Sequence, residues 1–107
     1  MIIEQSSVFY LETQSTSYIM RVNDFQHLEH VYYGVKIDRG PIGSLVYKRN
    51  IQHGSAVLYD AERDPAYSLD NVLLEWSGVG CGDYRQTPAE IRLGDGTFRT
   101  DFTYDSH

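Results

Sequence analysis

The sequence predicts an all-β domain, and three observations carry that prediction. Tyr occurs 9 times and Phe 4 times among 107 residues, beside many Val, Ile and Thr, a composition suited to pleated, half-buried surfaces. Two stretches alternate apolar and polar side chains with the period of a strand. No amphipathic helix longer than a turn or two, heptad run, internal repeat or low-complexity tract competes with them.

Taken in chain order, Tyr18, Met20 and Val22 alternate with Ile19 and Arg21 between Ser15-Ser17 and the turn signal Asn23-Asp24, which predicts a strand and then a turn. A second strand is expected from Leu28 through Ile37, with Gly34 as a bulge or a close backbone approach. The two are expected to pair as a hairpin. From Asp38 to Asp70, Gly40-Pro41, Gly43, Gly54 and Pro65 stand among scattered charges, predicting long connections with one short strand around Ser44 to Tyr47. A connection of that length inside one domain is usually functional or mobile. Near the end, Ala89, Ile91 and Leu93 alternate with Glu90 and Arg92, and Phe98, Phe102 and Tyr104 follow Gly94-Asp95-Gly96. This pattern predicts a second hairpin, with Pro88 at the start of its first strand, where a missing N–H does least harm.

A chain of 107 residues holds one core. Hydrophobic residues at 41% and charged residues at 22% argue against disorder. Lys and Arg number 9 against 15 Asp and Glu, a formal charge of -6. That sign repels phosphate backbones and anionic lipid, so neither nucleic acid nor membrane is an expected partner. Cys81 is the single cysteine, and Met1-Ile2-Ile3-Glu4 has neither the basic nor the apolar region of a leader. A cytoplasmic protein without a transmembrane segment is expected.

Few residues suggest chemistry of their own. With 15 acids, many carboxylate pairs are conceivable, and a solvated acidic surface accounts for them. His27, His30, His53 and His107 lack metal-ligand spacing, so no metal and no cofactor are expected. Cys81, set in Gly78-Val79-Gly80-Cys81-Gly82, has no adjacent base and reads as structural. Those glycines lack the strand and helix of a dinucleotide loop. Asp83 and Arg85 are expected to pair and pin this turn, with the Tyr84 ring as a lid over apolar surface. Trp76, after Leu73-Leu74-Glu75, reads as core bulk; stacking on a sugar ring would require it to be exposed.

Several short segments also resemble a known family. Ser17-Tyr18-Ile19-Met20, His30-Val31-Tyr32-Tyr33-Gly34, Tyr67-Ser68-Leu69-Asp70, Gly82-Asp83-Tyr84-Arg85, Pro88-Ala89 and Thr100-Asp101-Phe102-Thr103-Tyr104 occur in that order. The series, from about residue 8 to the last residue, resembles the N-terminal region of bacterial α-galactosidases of glycoside hydrolase family 36. The resemblance implies that residues 1–107 are an antiparallel β-sandwich domain, or a fragment of one, within the family's N-terminal supersandwich. The parent enzyme it implies has a (β/α)8 barrel, absent from this chain, that cleaves terminal α-galactosides such as melibiose and raffinose with retention. No catalytic residue would lie in this chain.

The resemblance further implies a homotetramer, in which a loop of this domain offers an acidic residue to a neighbouring subunit's substrate pocket. The loop falls between Tyr47 and Asp64, where Lys48-Arg49-Asn50 replaces the family's usual Asp-Arg pair. Asn50 is the counterpart of the acid, with Asp60 and Asp64 as alternatives. The partners implied are the other domains of the parent, further copies of it, and α-galactoside oligosaccharides. The competing reading is a freestanding carbohydrate-binding or interaction module with Trp76 and Tyr84 as an exposed aromatic platform.

Overall fold

In this computed structural model the residues described are 1–47 and 57–107. The chain divides into two compact units, Met1–Tyr47 with Thr103–His107, and Lys48–Phe102. The first unit holds four strands, β1 (Ile2–Gln5), β2 (Val8–Glu12), β3 (Thr16–Val22) and β4 (Leu28–Val35). They form one antiparallel sheet in the order β1-β2-β3-β4. The all-β antiparallel class therefore holds, with a single sheet among the described residues.

Local chemistry makes each turn. Ser6 and Ser7, at φ 53° and 63°, form the turn with two positive φ values that suits a two-residue hairpin loop. Ser7 N donates to Glu4 Oε1 at 2.8 Å. At the β3–β4 turn, Asn23 Oδ1 accepts from the backbone N–H of both Phe25 and His27 at 3.0 Å, so one amide side chain organises the loop.

The pleat then sorts the side chains. Ile3, Tyr10, Ile19 and Tyr32 are successive cross-strand partners, and Tyr10, Ile19 and Val31 form the buried core, covered by Ile37, Ile42 and Val46. Ile19 is 1% exposed, and burial of such a side chain stabilises by about 1.5–3 kcal/mol. On the opposite face Phe9 meets the His107 ring edge-on at 5.0 Å and the Tyr104 ring at 6.0 Å. Tyr104 N donates to Gln26 O at 2.7 Å, which fastens the chain end to this unit.

The β3–β4 hairpin forms as predicted, with one refinement. Ile19 pairs with Tyr32 but Met20 pairs with His30, so the extra residue of the bulge is Val31, not Gly34. Gly34 is instead the close approach: a Cβ there would sit 2.6 Å from Tyr32 Oη.

Three expectations are corrected. Strands β1 and β2 were not marked by the sequence pattern, because Ser6-Ser7 is not one of the usual hairpin-turn pairs. The segment Ser44 to Tyr47 is a turn, in which Leu45 N and Val46 N both donate to Ile42 O. Ile42 and Val46 both pack against the core, and the two bonds back to Ile42 O fold the backbone between them instead of extending it. At the second hairpin the turn is present, with Leu93 N donating to Thr97 O at 2.8 Å and Asp95 Oδ1 accepting from Thr97 N at 2.9 Å. The flanking runs 89–93 and 98–104 are not strands. Their backbone bonds go elsewhere: Thr100 N donates to Val79 O and Tyr104 N to Gln26 O. A two-stranded ribbon without a packed face has too little to hold it, and Ile91, Leu93 and Phe98 are exposed.

Among the described residues no helix is long and apolar enough to cross a membrane.

Candidate functional sites

In the second unit the best-organised feature is the Gly78–Arg85 turn. Arg85 Nε donates to Asp83 Oδ1 at 2.8 Å and Nη2 to Oδ2 at 3.2 Å. The same guanidinium donates to Val72 O and Leu69 O, both at 2.7 Å, and so ties the turn to the short 3-10 segment Leu69–Asn71. Asp83 is the anchor the sequence predicted, and its side chain is fully buried. Burial pushes its carboxyl up, but hydrogen bonds from the Arg85 side chain, the Arg85 backbone and Ser77 outweigh this and hold it below the usual carboxylate range.

This has a consequence for pH. An unfolded Asp titrates at about 3.9, whereas folded Asp83 titrates lower. Above both values its stabilising effect is complete; as pH falls below about 4, the unfolded chain takes up the proton first and the effect drains away. We expect Tm to fall on acidification through that range, and to fall less steeply in Asp83→Asn. Parallel curves for the two proteins would refute the assignment.

Cys81 is 8% exposed, donating to Thr100 O at 3.8 Å and accepting from Arg99 Nε at 3.4 Å. Tyr59 donates to Asp101, and burial, reinforced by that carboxylate, pushes the phenol up to about 12. It therefore stays a hydrogen-bond donor at neutral pH. Two expectations fail here. Tyr84 is 73% exposed and lids nothing, and Trp76 is 47% exposed with its ring edge-on to Phe102 at 6.0 Å. The glycine turn is closed by the polar bonds of Arg85 to Asp83, Val72 and Leu69.

In the first unit a cleft of about 380 Å³ opens between the β1–β2 turn and the segment after β4, lined by Gln5, Ser6, Val8, Tyr10, Arg39 and Ile42 among others. Behind it stands Glu12, whose side chain is 2% exposed. Arg39 Nε and Nη2 donate to its two oxygens, each at 2.9 Å, and Lys36 Nζ lies 3.7 Å away. The Arg39 hydrogen bonds hold Glu12 below the usual carboxylate range despite some desolvation, and Glu12 in turn raises Arg39. Nothing in the sequence marked this cleft, because Glu12 and Arg39 are 27 residues apart and only the sheet brings them together.

The sequence pattern of the glycosyl hydrolase family 36 N-terminal domain matches residues 26–107. The chain belongs to this family. The domain is 33% identical over 100 residues to the bifunctional alpha-galactosidase/sucrose kinase AgaSK of Mediterraneibacter gnavus, which covers 94% of this chain and 10% of that protein. It is 29% identical over 106 residues to alpha-galactosidase AgaA of Geobacillus stearothermophilus, covering 96% of this chain and 14% of the relative. Among solved structures, the galactosidase domain of AgaSK superposes with a TM-score of 0.85 at 30% identity, over 99% of this chain and 15% of that one. The family 36 domain thus spans a small fraction of the length of the relatives it matches.

Of the residues assigned to a neighbour's pocket, Asn50 lies outside the described residues. Asp60 Oδ1 accepts from Arg63 N at 3.1 Å and Asp64 Oδ1 from Ala66 N at 2.8 Å. Both carboxylates thus hold the 60–67 turn together, which Asp64 N to Asp60 O and Tyr67 N to Asp64 O complete.

Proposed function

We propose that this chain is the non-catalytic N-terminal part of a longer cytoplasmic α-galactosidase that hydrolyses terminal α-galactosides such as melibiose and raffinose with retention. The observation that carries the reading is the family match over residues 26–107, joined to the small share of each relative that the chain covers. Retaining hydrolysis needs two carboxyl groups about 5 Å apart and free to act. Five of the 15 acids already serve the fold: Asp60, Asp64 and Asp95 each accept a bond within a turn, and Asp83 and Glu12 are bound to arginines. In the assembled parent, a tetramer, this domain contributes oligomer contacts, and the loop between Tyr47 and Asp64 forms part of a neighbouring pocket's rim, with Asn50, or alternatively Asp60 or Asp64, facing the substrate.

The test compares hydrolysis of p-nitrophenyl α-galactoside by this chain and by the product of the complete reading frame. Activity confined to a longer product is the expected result. Hydrolysis by the 107-residue chain, or an inactive longer product, would remove the reading. The exposure of Trp76 and Tyr84 favours a second reading, a freestanding carbohydrate-binding module; a reading frame that stops at His107 would select it.

A further inference from the structure

We propose that the cleft of the first unit binds a small uncharged polyol of the size of one hexopyranose. Three observations converge on that class. The cleft of about 380 Å³ is lined by apolar Val8 and Ile42 and by polar Gln5, Ser6, Tyr10 and Arg39, the mixture that suits a ring with C–H faces and a hydroxyl edge. The phenol of Tyr10, a residue only 5% exposed, has its bond to Gly40 O at 3.4 Å, beyond the normal range of O–H···O bonds. A hydroxyl delivered to it at normal distance would satisfy a buried polar group that the protein itself satisfies poorly.

Charge decides against an anion. Among the described residues Arg39 is the only cation lining the cleft; the buried Glu12 grips it at two points, and the one other cation at that carboxylate, Lys36 at 3.7 Å, is not among the lining residues. The pairing fixes the guanidinium in place before any ligand arrives and leaves Nη1 outside the pair. A held, compensated guanidinium donates to neutral hydroxyls without demanding a counter-charge. The inference does not depend on the function proposed above, since it concerns a different part of the chain and a different measurement.

The experiment is a titration of the isotope-labelled 107-residue chain with methyl α-D-galactopyranoside, followed by backbone amide shifts. We expect saturable shifts, with a dissociation constant on the order of 1 mM for so small and open a site, centred on Gln5, Ser6 and the 39–42 segment. Tyr10→Phe removes one oxygen and keeps the ring, so it is expected to fold normally and to bind roughly five- to tenfold more weakly. Gln5→Ala, at an exposed position, is a second variant expected to weaken binding without touching the core. An absence of shifts, shifts confined to the region of Trp76, or undiminished binding by both variants would each overturn the proposal. Tight binding of inorganic phosphate in preference to the glycoside would overturn its neutral character.

Discussion

Replacing Arg85 by Ala is expected to lower the stability of the second unit by about 3 kcal/mol, the low end for breaking a buried ion pair, because Arg85 keeps contact with water. The Asp83 carboxylate, fully buried, would be left charged without its partner. The carbonyls of Leu69 and Val72, each accepting at 2.7 Å, would lose their donor at the same time. Arg85→Lys is expected to recover less than half of the loss, since an ammonium cannot reproduce a fork that bonds a carboxylate and two carbonyls at once. Urea unfolding followed by Trp76 fluorescence measures this directly, as the single Trp lies in the same unit as Arg85. Tyr84→Ala, at a residue 73% exposed, is the control and should change stability by less than about 0.5 kcal/mol. An Arg85→Ala loss no larger than that control would show that the anchor is dispensable.

Gly78→Ala should be nearly as damaging for a steric reason. A Cβ at position 78 would stand 2.3 Å from Thr100 O and 3.1 Å from Thr100 C, and backbone cannot step aside as a flexible side chain can. Thr100 is also held there by two bonds, Thr100 N to Val79 O at 2.8 Å and Val79 N to Thr100 Oγ1 at 3.1 Å. Relieving the overlap means parting the two segments, at a cost of about 2–3 kcal/mol from overpacking and weakened hydrogen bonds together. For a chain of this size the expected fall in Tm is roughly 10–20 °C by calorimetry. Gly94→Ala is the matched control: nothing lies within 4 Å of its added Cβ, and its Tm should stay the same or rise slightly. A Gly78→Ala protein that melts with that control would mean the two segments do not approach so closely.

The parts of the fold legible in the sequence are those whose signal is local. The β3–β4 hairpin was readable because Tyr18 to Val22 alternates and Asn23 is a residue that organises its own turn. The Asp83–Arg85 pair was readable because its members are two residues apart. The second hairpin was misread for the complementary reason: Asp95-Gly96 does make the turn, but whether its arms pair depends on what lies beside them. Period-2 alternation reports a strand's preference for a half-buried surface and says nothing about which surface is supplied. Trp76 reads as core from the Leu73-Leu74 pair before it and the glycine turn beside it, yet it is 47% exposed, since a local apolar cluster does not say which surface covers it. Asp60 and Asp64, which the family resemblance offers as alternatives for a pocket residue, are legible as acids but not as the acceptors that fold their own turn.

By itself the sequence determined the all-β class, the acidic character, the β3–β4 hairpin, the turn anchor and the family, because each rests on residue type, short spacing or the order of short motifs. Only the tertiary structure decided that β1 and β2 complete the sheet, that Val31 is the bulge, and that Glu12 and Arg39 meet behind a cleft. Those outcomes depend on pairing between residues far apart in the chain, where register is fixed by the burial of one whole face rather than by any local run of residues.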